Sequence, residues 1–278
     1  MLPVTARQVG VGRNKFYALT NNGDLIIFDG DLDQEAVLMQ DIKRFAAGDH
    51  GVLAITDDHA LWWLSEKNNN PSTPMAFEVV DAAVGDGANY YITAAGDLFV
   101  KGRAHRGQYG DGLLTSTSRF VKTESEAKRI TAHTGHAILL LKNGNVLGTG
   151  GNIYGPVGIH GLGDKAICWS HIMSGAASIA TGSSHSLAIR PDGALVAWGR
   201  GYDPEPGVHK GLGVTQLRVK GTDTALVSGV DRTQSGGLRC QRHQRDDSQP
   251  DHYQCSQNSE MGLSFPPTAG PLFSETEG

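Results

Sequence analysis

A chain of 278 residues can bury a sizeable core, and its 24 basic and 29 acidic side chains give a formal net charge of -5 with no run of five or six like charges. That balance excludes the electrostatic footprint of a nucleic-acid or anionic-membrane binder, and no segment approaches the ~18 consecutive apolar residues of a membrane span. Cys168, Cys240 and Cys255 are the only cysteines, which excludes a disulfide framework for most of the chain.

Glycine supplies 37 residues, about 13% of the chain against an average near ~7%, which predicts many tight turns and few helices. The glycines are periodic. QVGVGRNKFYALTNNGDLIIF places Gly12 eleven residues before Gly23. RFAAGDHGVLAITDDHALWWL repeats that offset from Gly48 to His59, which stands at the turn position. DAAVGDGANYYITAAGDLFVKGR has Gly85 and Gly96, RITAHTGHAILLLKNGNVLGTGG has His133 and Gly144, and SIATGSSHSLAIRPDGALVAWGR has Gly182 and Gly193. The turn positions 23, 59, 96, 144 and 193 are spaced by 36, 37, 48 and 49 residues, a period of blade or solenoid size.

Each copy reads as an apolar strand, an Asn-Gly or Asp-Gly turn and a second apolar strand, as in Ala137 to Leu141, Asn143-Gly144, Val146-Leu147. This predicts hairpins closed by tight primed turns, and hence β rather than α repeats. The fold expected is an all-β propeller of about five clear blades over residues 1–227, with a partial blade at 214–227 that leaves the ring open. Residues 228–278 are rich in Gln, Ser, Asp, Arg and Pro, a composition that predicts a disordered tail. The break after Val227 falls in mid-blade, as a truncation or frame change would leave it.

The fullest copy, GSSHSLAIRPDGALVAWGR at 182–200, resembles the repeat of the regulator-of-chromosome-condensation family through His185, Asp192, Gly193, Trp198 and Gly199. The fourth copy keeps His136, Gly144 and Gly150, and the third continues through Gly102-Arg103 into GQYGDG at 107–112, similar to that family's blade linker. The resemblance spans residues 5–227 and implies a propeller used for protein binding, with regulation of a small GTPase by nucleotide exchange as an alternative. A viral or bacterial surface or effector component is a third reading, from the lack of a signal peptide and of disulfides.

No phosphate loop, His-Glu-x-x-His or Gly-x-Ser-x-Gly motif is present, so no catalytic group, cofactor or enzyme activity is expected. His136 and His185 occupy equivalent positions, as do Gly12, Gly48, Gly85 and Gly182, and Gly23, Gly96, Gly144 and Gly193; with Trp198 they are read as structural repeat residues. Trp62, Trp63 and Trp169 are likewise read as strand packing. Cys240, His243, His252 and Cys255 have zinc-knuckle-like two-residue gaps, but coincidence in a polar tail is the preferred reading. The expectation is therefore a soluble, cytoplasmic scaffold with a protein partner and neither nucleic acid nor membrane, in which self-association is one way to cover the open blade edges.

Overall fold

The computed structural model describes residues 5–12, 15–29, 35–65, 73–159, 161, 163–202, 206–209, 214–220, 223–228, 238–241 and 254–257. Among these every regular element is a strand, so no helix is long and apolar enough to cross a membrane.

Strands pair with their chain neighbours in antiparallel meanders. The first blade comprises β1 (Ala6–Val11), β2 (Lys15–Thr20), β3 (Leu25–Asp29) and β4 (Glu35–Met39). The second has three strands, β5 (Ile42–Gly48), β6 (Gly51–Thr56) and β7 (Leu61–Ser65). The third is β8 (Val79–Val84), β9 (Ala88–Thr93), β10 (Leu98–Gly102) and β11 (Thr117–Glu124), and the fourth β12 (Ala127–His133), β13 (His136–Leu141), β14 (Val146–Gly151) and β15 (Lys165–Met173). The fifth holds β16 (Ser178–Thr181), β17 (His185–Ile189), β18 (Leu195–Gly199) and β19 (Gly207–His209). Two-stranded pairs follow, β20 (Val214–Lys220) with β21 (Asp223–Ser228) and β22 (Leu238–Gln241) with β23 (Gln254–Gln257). The remaining stretches of the C-terminal tail lie outside the described residues.

The core lies in the seams between blades. On β13, Leu139 joins a cluster with Tyr90, Ile92, Leu98 and Val100 of the third blade, while Ile138 and Leu140 join Ile179, Ala188, Val196 and Trp198 of the fifth. Alternate side chains thus point to opposite neighbours, and both faces of the strand are apolar because neither meets water. Equivalent clusters join the first blade to the second around Leu19, Ile42 and Phe45, and the second to the third around Leu53, Val79 and Tyr91. Each fully buried Leu or Ile contributes roughly 1.5–3 kcal/mol.

The hairpin turns differ from the two-residue primed type. Gly23, Gly96, Gly144 and Gly193 have φ between 80° and 97° and His59 has φ 66°, whereas the residue before each (Asn22, Ala95, Asn143, Asp192 and Asp58) is not left-handed. Gly23 N–H donates to Thr20 O and Thr20 N–H to Asp24 O, and the same pair of bonds recurs at Thr56, Thr93, Leu141 and Arg190. Each loop is therefore a three-residue one, a type I turn closed by one left-handed residue, for which a single glycine suffices.

The carbonyls of these turns also clasp the next blade. Gly23 O accepts from Ile42 N–H, His59 O from Val79 N–H, Gly96 O from Ala127 N–H and Gly144 O from Ala176 N–H. The residue before each donor is left-handed: Asp41 (φ 56°), Glu78 (57°), Glu126 (55°) and Gly175 (75°). In the first three links its carbonyl returns a bond, from Asp57, Ala94 and Lys142 N–H respectively. Glycine at these positions relieves a strain that the acidic residues carry. Glu126→Gly is expected to raise stability by up to about 1 kcal/mol in urea denaturation, since its side chain offers only a 3.8 Å pairing with Lys142 at the surface.

Candidate functional site

In a meander blade, the loops joining first to second and third to fourth strands emerge on one side of the ring. Among the described residues, five of the ten exposed large apolar side chains lie on third-to-fourth loops of this side: Leu113, Leu114, Ile153, Tyr154 and Tyr202. Ile153 is the most open at 68%. The Arg200 guanidinium sits 5.0 Å from the Tyr154 ring centroid, and Tyr202 lies against the His185 ring. Arg106 donates to Thr134 O (3.2 Å), while Arg103 approaches Asp86 at 3.9 Å. The loops on this side thus expose apolar and aromatic side chains together with arginines.

The loops that carry it are tied to the blades. In the loop 103–116, Tyr109 is buried and its hydroxyl donates to Gly102 O (2.8 Å) and accepts from Thr117 N–H (3.1 Å), while Gln108 accepts from Arg106 N–H. Thr149 of the fourth blade donates to Gly107 O at 2.7 Å. In the loop 152–164, the Asn152 side chain accepts from Val157 N–H and donates to Gly163 O. Pro156 O accepts from both Trp198 Nε1 (2.9 Å) and Ser186 Oγ (2.8 Å) of the fifth blade. Thr149 and Trp198 occupy one repeat position, so successive blades pin the preceding loop in the same way.

The residues singled out from the repeat are spread among the blades. His136 and His185 are buried as the first residues of β13 and β17. Ser186 Oγ gives its proton to Pro156 O, so the 3.2 Å contact with His136 Nε2 requires the imidazole to donate. Burial pushes the His136 ring down to about 3, with the neighbouring His133 and His185 rings adding to the shift. The ring is thus engaged in a bond between the fourth and fifth blades. Gly48 abuts the next blade, where a Cβ would meet the Val84 side chain at 2.3 Å, and Gly12 and Gly85 close the first hairpin turns through bonds from their N–H groups to Lys15 O and Ala88 O; Gly182 does the same with His185 O. Trp198 is fully buried, while Trp62, Trp63 and Trp169 are partly buried against seam clusters.

Among the described residues no group of three or more His, Cys, Asp or Glu side chains is placed to hold a metal ion. Cys240 and Cys255 are register partners on the β22–β23 pair, whereas His243 and His252 lie outside the described residues.

One further position of the repeat varies in chemistry from blade to blade. Four residues before the first-position residue of each copy stand Gln8, Arg44, Asp81, Arg129 and Ser178, on the inner strands β1, β5, β8, β12 and β16. Gln8 bonds the backbone of Phe45 through both side-chain atoms, Arg44 Nη1 meets Asp81 Oδ1 at 3.0 Å, and Arg129 Nε lies 4.0 Å from Asp81 Oδ2. Asp81 also accepts from Ile130 N–H at 3.0 Å. Burial raises its carboxyl above the ordinary range, opposed by the two guanidinium groups. Residues so different in type left no repeat signal, although their common register was available.

Residues 176–203 match the regulator of chromosome condensation (RCC1) repeat. The human E3 ubiquitin-protein ligase HERC2 is 28% identical over 211 residues, covering 64% of this chain and 4% of that protein. The Bos taurus secretion-regulating guanine nucleotide exchange factor is 31% identical over 124 residues, covering 42% of this chain and 27% of that protein. The chain thus spans about a quarter or less of the length of these relatives. Among solved structures, yeast RCC1 (Prp20) bound to Kap60 superposes with TM-score 0.68 at 16% identity, covering 80% of this chain and 67% of that one. Prp20p of Saccharomyces cerevisiae, described with its binding to Gsp1p and histones, gives 0.64 at 17%, covering 82% and 70%.

Proposed function

From a chain that carries RCC1-type repeats on a β-propeller fold, we propose a non-catalytic protein-binding module that takes its partner on the loop face bearing Ile153, Tyr154 and Tyr202. The observation that carries this reading is the gathering of exposed apolar side chains on loops pinned by neighbouring blades. A surface held in place before binding loses little conformational entropy on association, and aromatic residues beside arginine are the side chains that dominate protein interfaces. Arg103, Arg106 and Arg200 on the same loops favour a partner segment with acidic residues flanking an apolar anchor.

A partner captured on the immobilised wild-type chain is to be purified and its affinity measured against Ile153→Asp/Tyr154→Asp and against Phe77→Asp, an exposed apolar residue remote from these loops in the link before β8. The expected result is a loss of about tenfold or more for the loop variant alone. Equal affinity for all three proteins overturns the assignment of the face.

The relative named as a guanine nucleotide exchange factor favours a second reading, regulation of a small GTPase. Release of fluorescent GDP from a panel of purified small GTPases separates the two. Acceleration that depends on the loop face supports exchange, and binding without acceleration supports a passive scaffold.

A further inference from the structure

The inner strands enclose a cavity of about 240 Å³ on the propeller axis, lined by residues of all five blades, among them Gln8, Arg44, Asp81, Arg129, Thr131 and Thr181. The two threonines bond each other at 2.8 Å, and Gln8 is engaged with Phe45, so these walls are satisfied. The charges are not balanced. One carboxylate, 6% exposed, faces two guanidinium groups that are 35% and 43% exposed.

Arg44 directs Nη1 to Asp81 and to Val80 O, and Arg129 reaches Asp81 only through Nε at 4.0 Å. Both Nη groups of Arg129 and Nη2 of Arg44 have no partner among the described residues. A guanidinium presents five donors in a planar fork that matches the oxygens of a carboxylate or phosphate. Two such forks on the inner strands β5 and β12, which flank β8, in a partly desolvated cavity, form a receptor for negative charge that Asp81 only half fills.

We propose that the axial cavity binds a small oxyanion between Arg44 and Arg129, with Asp81 holding the two guanidinium groups in place and competing with the ligand for them. The site is separate from the loop face and does not depend on what binds there. Its volume admits a phosphate, a small carboxylate, or the carboxylate tip of an acidic side chain. Net charge of the whole chain opposes such binding, so the attraction is local to this layer.

The test is calorimetric titration of the full-length chain at low ionic strength with inorganic phosphate and, separately, with N-acetylglutamate amide. One-to-one saturable binding is expected for at least one probe. Phosphate alone identifies a free oxyanion as the ligand, and a response to the glutamate derivative identifies a carboxylate. Arg129→Gln and Arg44→Gln should each weaken binding about tenfold, while Arg103→Gln on the loop face leaves it unchanged. Asp81→Asn should tighten it severalfold by removing the competing charge. If that variant does not fold, the two arginine variants, checked by circular dichroism, decide the matter. No saturable binding of either probe by about 10 mM, or binding indifferent to both arginines, overturns the proposal.

Discussion

Alanine at Gly150 should destabilise the protein by roughly 3 kcal/mol or more, enough to abolish a large part of the stability of an ordinary domain. Gly150, one residue before the end of β14, pairs with His136 and has φ 102°, and a Cβ built there would lie 2.3 Å from Gly135 O and 2.7 Å from His136 Cα. Both obstacles are backbone, so no side chain can rotate away. Gly102 and Gly199 occupy the same place in the third and fifth blades, with φ 110° and 99° and carbonyls 2.0 and 2.7 Å from the missing Cβ. The control is Gly175→Ala, where φ is 75° but nothing lies within 4 Å, and where a cost of about 1 kcal/mol is expected from the backbone conformation alone. Urea denaturation of Gly150→Ala, Gly199→Ala and Gly175→Ala tests the argument. Equal losses at all three positions would show that φ, and not the close approach, sets the penalty.

Acid should unfold this protein through His136. Its folded-state pKa of about 3 lies below the ordinary histidine value near ~6.5 that it recovers on unfolding. Between these values the unfolded chain binds a proton that the folded chain refuses, so stability falls as pH drops, by about 1.4 kcal/mol per pH unit, until the folded ring itself titrates. His133 shifts in the same direction through burial, with Asp49 and Asp86 opposing. Asp81, whose carboxyl is raised, acts in the opposite sense: its proton stabilises the folded state below its folded pKa, and that contribution is lost as pH rises through it. The measurement is thermal melting from pH 7 to pH 4 for the wild type and for His136→Gln, which can still donate to Ser186. The wild type should lose melting temperature faster on acidification; parallel curves would mean that His136 does not govern the acid limb.

The repeat was visible in the sequence because glycine and histidine are scarce enough at fixed offsets to be counted, and the five hairpins lie where Gly23, His59, Gly96, Gly144 and Gly193 put them. The turn type was misjudged because an Asn-Gly pair fits a two-residue primed turn as well as a type I turn with one left-handed residue; only the backbone angles separate them. The left-handed links at Asp41, Glu78 and Glu126 were hidden, since acidic residues give no compositional sign of positive φ. The charged axial layer was hidden for a related reason. Gln8, Arg44, Asp81, Arg129 and Ser178 share a register but not a chemistry, and a search for recurring residues passes over a position where each blade carries what its neighbour needs. The loop face could not be located without strand pairing, because Ile153 and Tyr202 are 49 residues apart and neither belongs to a recognisable motif.

The clasp between blades has a genetic corollary. It is built from main-chain groups at fixed positions around each turn, so any unit of this kind offers the same donor and acceptors to whichever unit follows it. A tandem duplication or in-frame loss of one unit would therefore create a serviceable junction at once, before selection had altered a single side chain. The layer around the axis has no such tolerance. A newly copied unit would bring Arg44 or Asp81 beside a partner of the wrong sign, and copy number in this lineage would be limited by charge matching at the centre rather than by packing between units.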